Sequence, residues 1–301
     1  MIIALEIGLL YAIMAVGVYL TYRVLDFPDL TVDGSFTTGA ATSAILLVSG
    51  APIWLAMIAG MVAGMLAGAI TGLLHVWGNI NPLLAGILTQ IALYSINLRI
   101  MGNKANVPLL RTDTLFSWAR SEKLLGTWSS VLVFLVVVAI ACAIVYWFLG
   151  TSFGVSIRAT GDNELMARSQ GINTGVTKIV GLMISNGMVA LCGTLVAQYQ
   201  GFSDISMGIG LIVAGLASVI VGQAIFGMTA VWQAVLAAAL GSVIYRGVIQ
   251  IALNNGANPN DMKLISAVLV VLALVLPQWG PLKKMRLQRR KKQAVEAGVA
   301  A

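Results

Sequence analysis

Residues 128–149 read WSSVLVFLVVVAIACAIVYWFL, a run with no charged side chain. Roughly 20 such residues form a helix long enough to cross the hydrocarbon core of a bilayer. Runs of this kind recur along the chain, and composition leaves little choice about their solvent. Of 301 residues, 59% are hydrophobic and 10% charged, against about 25% charged in a soluble domain. So few charges cannot cover a water-soluble core of this size, so lipid must solvate much of the surface.

Nine apolar segments are expected, near 3–22, 35–50, 52–74, 81–100, 128–149, 176–198, 208–226, 229–252 and 262–277. The fold class is therefore all-α, a polytopic membrane protein of eight to ten spans, with 35–50 and 262–277 short enough for one to be re-entrant. The first segment has no basic region before it and outruns a signal peptide, so it reads as a retained span. The net charge of +7 is concentrated at the end: Lys283, Lys284, Arg286, Arg289, Arg290, Lys291 and Lys292 follow the last segment. Such a run reads as a cytoplasmic anchor beside anionic lipid, not as a nucleic-acid surface. With nine spans, the tail 278–301 and the loop 150–175 lie inside and the N-terminus lies outside. The loop 101–127 then falls outside despite Lys104, Arg111, Arg120 and Lys123.

An internal repeat organises the domain 1–277. Phe27-Pro28-Asp29-Leu30-Thr31-Val32 returns as Phe202-Ser203-Asp204-Ile205-Ser206-Met207, 175 residues later, and Asn81-Pro82 returns as Asn258-Pro259. Four spans in 1–100 bring the chain back to its starting side. The single span 128–149 then reverses it, so the second copy, 176–277, must be inserted upside down. Inverted repeats are a recurring transporter plan, with the pathway between the halves.

Gly60, Gly64, Gly68 and Gly72 recur every four residues, one face of a helix that a neighbour can approach closely. That face packs either within the chain or beside a pathway or dimer contact. Asp26, Asp29 and Asp33 crowd the first polar break, and Pro28 disfavours helix just before it. Unwound backbone at membrane depth needs protein or a cavity around it, so Phe27, Asp29, Asp33, Phe202 and Asp204 are candidate pathway residues. Helix capping by the aspartates is the competing role. Gln90, Tyr94, Asn97 and Gln198 are further polar groups within spans.

The segment Gly154–Gly171 carries the most specific pattern. Asp162 or Asn163 can cap a short helix whose first turn holds Glu164, favourable for its dipole, and Gly171 can end it. Leu165 and Met166 add an apolar ridge that a solvated loop has no use for, but that suits a groove on a soluble partner. With Arg168, these residues are the expected docking element; a helix lying on the membrane surface is the competing reading.

This segment resembles the coupling helix of bacterial ABC importer permeases, in the superfamily of branched-chain amino-acid and ribose permeases. The runs Phe27–Gly34, Arg158–Asn163, Gln198–Phe202 and Asn258-Pro259-Asn260-Asp261 are similar to a narrower group of tryptophan/tyrosine and uncharacterised permeases. The resemblance implies a bacterial inner-membrane protein that is a homodimeric or paired permease. It also implies two cytoplasmic ABC ATPase subunits and an extracytoplasmic substrate-binding protein, and points to amino-acid substrates. No phosphate loop of the form Gly-x-x-x-x-Gly-Lys-[Ser/Thr] occurs, so ATP hydrolysis is expected in separate subunits, without a cofactor or catalytic residue here. Cys142 and Cys192 read as core residues. His75 has no ligand partner at i+4, where Asn79 stands, and reads as interfacial. An ion-coupled secondary transporter is the alternative, with Asp29, Asp33 and Asp204 as its coupling groups.

Overall fold

The structure, a computed structural model, describes residues 2–110, 112–117, 122, 126–227, 230–256 and 262–275. The basic tail, Arg111, Arg120, Lys123 and the motif Asn258-Pro259-Asn260-Asp261 lie outside the described residues. The chain forms helices α1 (Ile2–Tyr19), α2 (Thr31–Val48), α3 (Ile53–Val76) and α4 (Pro82–Ile100), then strand β1 (Asn106–Pro108). It continues through α5 (Trp128–Gly150), α6 (Ser152–Asp162), α7 (Glu164–Ser169), α8 (Thr174–Gln200), β2 (Phe202–Asp204), α9 (Leu211–Phe226), α10 (Val231–Asn254) and α11 (Met262–Val275). Each of the nine expected segments falls on a helix. Six helices among the described residues are long and apolar enough to cross a membrane: α1 with its extension to Val24, α3, α4, α5, α8 and α10. This is a multi-pass helical membrane protein.

Exposure separates the helices into two kinds. In α1, Leu10, Ala12, Ile13, Met14, Ala15 and Val16 are all buried, so neighbours surround it. In α5 only the stripe Ser130, Phe134, Val138, Cys142, Val145 and Leu149 is buried. The rest of α5, including Leu132, Leu135, Ile140 and Ile144, stays apolar yet exposed. Hydrocarbon accepts those side chains as readily as a protein core does, so apolarity on all faces is stable here.

Because lipid supplies no hydrophobic drive between helices, close packing and hydrogen bonds must hold them together. The glycine face of α3 lies against α8. A Cβ on Gly64 would lie 2.2 Å from the Ala190 Cβ, and one on Gly68 would lie 2.3 Å from the Leu182 carbonyl oxygen. Bare glycine carbonyls also accept from small hydroxyls on neighbouring helices: Ser185 donates to Gly17 (2.7 Å), Thr194 to Gly39 (3.0 Å) and Ser242 to Gly8 (3.0 Å). Each such bond contributes about 0.6 kcal/mol, so tight approach and polar pairing act together.

Both polar breaks interrupt helix. After α1 the chain passes through a π turn, Leu20–Val24, and Asp26 takes a left-handed φ of 53° before Pro28. The helix resumes at Thr31, four residues before the expected 35, because the Thr31 N–H donates to Asp29 Oδ1 (2.9 Å) and starts the turn early. The second break begins at Gly201, whose φ of 81° ends α8 in a conformation that favours glycine. There β2 pairs antiparallel with β1, Asn106 opposite Asp204 and Pro108 opposite Phe202.

Candidate functional site

Two short helices form the loop between α5 and α8, where the sequence predicts one. Thr151 caps α6 by accepting from the Gly154 N–H (3.2 Å), and Asn163 caps α7 by accepting from the Met166 N–H (3.0 Å). Asp162 is the last residue of α6 and is exposed; the cap of α7 is Asn163. Leu165 and Met166 keep 80% and 62% of their surface in solvent, side by side on a helix of six residues.

The opposite side of α7 is pinned. Glu164 accepts from Arg168 (2.8 Å) and from Lys178 on α8 (2.8 Å), and Arg168 Nε donates to Thr174 Oγ1 (2.8 Å). The Lys178 hydrogen bond, opposed in part by desolvation, holds the Glu164 carboxyl below its ordinary value. The group therefore stays ionised at neutral pH.

Lys178 also reaches the end of α3. Its ammonium lies 3.4 Å from His75 Nε2, while His75 Nδ1 lies 2.9 Å from the Ile80 carbonyl oxygen. A carbonyl can only accept, so Nδ1 carries the proton and Nε2 offers its lone pair to Lys178. The same imidazole packs edge-on against Phe27, with ring centroids 5.2 Å apart. Glu164, Lys178, His75 and Phe27 thus form one contact line from the exposed ridge to the first break. Composition could not reveal it, since Lys178 and His75 carry no motif; only the packing of α8 against α3 joins them. A second contact runs beside it, for a Cβ on Gly161 of α6 would meet the Val24 carbonyl oxygen at 2.0 Å.

Behind Phe27 the break is knit into the core. Asp29 is buried; besides Thr31 it accepts from Asn186 Nδ2 on α8 (2.6 Å), and Ser35 in turn donates to Asn186. Asp33, in the first turn of α2, reaches α9, accepting from the Gly210 N–H (2.7 Å) and the Ile212 N–H (2.7 Å) at its start. A carboxylate there satisfies two orphan donors and complements the helix dipole. Asp33→Asn turns one acceptor into a donor facing an N–H. It should cost about 1–3 kcal/mol, read as a lower unfolding midpoint of the detergent-solubilised chain.

The second break lies at the other end of α1. There Glu6 accepts from the Gly126 N–H (2.8 Å), from Tyr199 (2.6 Å) and from Ser130, and Gln198 Oε1 accepts from the Leu115 N–H (2.9 Å). Asp204 accepts from the Ser206 N–H (2.8 Å), and Phe202 is exposed. Phe202 and Asp204 therefore pair with β1, Asn106–Pro108, and do not join the group around Asp29. Gln90, Tyr94 and Asn97 do not share one surface: Asn97 is buried, donating to the Gly34 carbonyl at 3.4 Å, and Tyr94 is exposed. Gly60, Gly64, Gly68 and Gly72 are buried against α2 and α8.

Comparisons with known proteins place this geometry in context. Residues 1–275 match the family described as branched-chain amino acid transport system / permease component. The chain is 42% identical over 267 residues to a tyrosine transport system permease protein of Clostridioides difficile, covering 89% of this chain and 88% of that one. It is 27% identical to the galactofuranose transporter permease protein YtfT of Escherichia coli, covering 88% and 75%. Among solved structures, PsaBC from Streptococcus pneumoniae in complex with Fab is similar in fold. Its TM-score is 0.53 at 16% identity, and the match covers 95% of this chain and 93% of that one.

Proposed function

The chain belongs to the family of branched-chain amino acid transport permease components, and on that premise we propose that α7 is the docking element through which cytoplasmic ABC ATPase subunits drive it. The protein is the permease subunit of an ABC importer in a bacterial membrane. The observation that carries the docking assignment is the pair Leu165 and Met166, exposed on a helix whose other side is tied to α8 by Glu164 and Lys178. An exposed apolar ridge on a short capped helix suits a groove in a soluble partner.

Motion at α7 passes along Glu164, Lys178 and His75 to Phe27, and through Gly161 to the turn before it. Asp33 carries it across to α9. At the opposite end, the β1–β2 pair joins the loop 101–127 to the second break, where an extracytoplasmic binding protein would deliver substrate. ATP binding in the partners then biases one packing of these contacts over another, a two-state coupling without chemistry in this chain.

The halves 1–100 and 176–277 read as inverted repeats crossing the membrane with nine spans, the N-terminus outside and the tail 278–301 inside. Support comes from exchange of helices. Swapping α1–α4 for α8–α11 turns the α3–α8 contact into α10–α1, α2–α3 into α9–α10, and α2–α4 into α9–α11, and all of these pairs touch. The turns agree as well. Asp29 accepts from the Thr31 N–H as Asp204 accepts from the Ser206 N–H, 175 residues on. A second permease copy completes the pathway as a homodimer. The substrate is an amino acid, with the tyrosine permease relative favouring an aromatic one. The ion-coupled alternative finds its carboxylates engaged: both oxygens of Asp29 and of Asp33 already accept hydrogen bonds.

Labelling tests the reading. Cys142 and Cys192 are both buried, so a cysteine introduced as Asn163→Cys should dominate reaction with a membrane-impermeant maleimide. Reaction only after the inner face is exposed supports the assignment. Reaction from outside intact cells would place α7 beyond the reach of any ATPase.

A further inference from the structure

Two clefts open at the α6 end of the bundle and share a wall. One, of about 450 Å³, lies between the end of α5 and the start of α10 and is lined by Tyr146, Trp147, Thr151 and Trp232. The other, of about 380 Å³, lies between the end of α1 and α6 and is lined by Arg23, Asp26 and Asp162. Arg158 lines both. Clefts of roughly 300–1,000 Å³ are the size that holds small ligands.

The charge differs between them. The second cleft has two carboxylates in its wall, whereas the first has none among its lining residues. Arg158 is exposed and makes no ion pair or hydrogen bond with any described residue. Its guanidinium therefore offers a planar fork of donors, the geometry that grips a phosphate. Around it stand aromatic rings left open at the ends of two apolar helices, Trp147 being 71% and Trp232 50% exposed. Such rings at span ends sit at the depth of lipid headgroups, and a basic pocket between spans there suits an acidic one.

We infer that the cleft between α5 and α10 binds an anionic phospholipid, with Arg158 holding the headgroup phosphate and Trp147 and Trp232 flanking its glycerol and upper acyl chains. The site would tie lipid charge to α6, the helix that leads directly into α7. It rests on the chain being a membrane protein, not on the ATPase contact.

The test uses the full chain in phosphatidylcholine vesicles doped with a minor fraction of brominated phosphatidylglycerol or, separately, brominated phosphatidylcholine. Tryptophan quenching is compared with that of a Trp147→Phe/Trp232→Phe variant to isolate the two rings. Quenching of these rings should favour the anionic lipid by about five-fold in apparent affinity, the contribution of one arginine. Arg158→Ala should remove that preference and Arg158→Lys should retain most of it. Equal quenching by both lipids, or an undiminished preference in Arg158→Ala, would overturn the inference. Soluble glycerophosphate should not displace the lipid; if it does, the cleft takes a free phosphate and the lipid assignment fails.

Discussion

Met166→Asp is expected to abolish ATP-driven uptake while leaving the membrane domain folded. Met166 is the third residue of α7, its N–H already donated to the Asn163 cap. An aspartate there complements the helix dipole, so the helix itself should lose nothing. In a partner's groove the same carboxylate is buried without a counter-charge. Removing a central apolar anchor from such a groove costs about 2–4 kcal/mol, or roughly 30- to 1,000-fold in association. Uptake in vesicles carrying the assembled transporter should fall accordingly, together with permease-stimulated ATP hydrolysis, at an unchanged unfolding temperature. Normal ATP-coupled uptake would remove α7 from the mechanism.

The second large effect lies in the packing of α3 on α8. In Gly68→Val the Cβ must occupy a point 2.3 Å from the Leu182 carbonyl oxygen and 3.0 Å from the Asn186 Cβ. Backbone cannot yield as a side-chain tip can, so the helices must separate. Over-packing of a tight interface costs about 1–3 kcal/mol, and separation here also disturbs Asn186, which holds Asp29. A drop of several degrees in the unfolding midpoint is expected. Gly247→Ala in α10 is the control, because a Cβ there meets nothing within 4 Å. That change should be neutral or stabilise by up to about 1 kcal/mol through helix propensity. Equal midpoints for the two variants would refute the close-approach argument.

Much of this architecture was legible because lipid imposes strict rules on sequence. Apolar runs mark helices, and each of the nine expected segments overlaps one among the described residues. The four-residue glycine spacing marks a close contact, and Pro28 with its neighbouring aspartates marks a break. The exposed ridge of α7 followed from Asn163, Glu164, Leu165 and Met166, since a cap, an acidic first turn and two apolar residues have few other uses together. Direction of burial was not legible. In a soluble helix the apolar face is the buried face, but α5 is apolar on every side and only packing selects the stripe through Phe134, Val138 and Cys142.

Polar residues show the same division. The chain alone specifies that Asp29 and Asp204 stand at breaks and Asp33 beside one, in the first turn of α2, because a carboxylate cannot be left in hydrocarbon. It does not specify their partners, which come from distant positions: Asn186 for Asp29, Gly210 and Ile212 for Asp33. Likewise a lone histidine and a lone lysine gain meaning only when α3 and α8 bring His75 and Lys178 together. Local order supplies helices, caps and breaks, because these depend on neighbours a few residues away. Tertiary structure alone decides which faces meet and which buried polar groups find partners, because contacts such as Asp29–Asn186 and His75–Lys178 join residues more than a hundred positions apart.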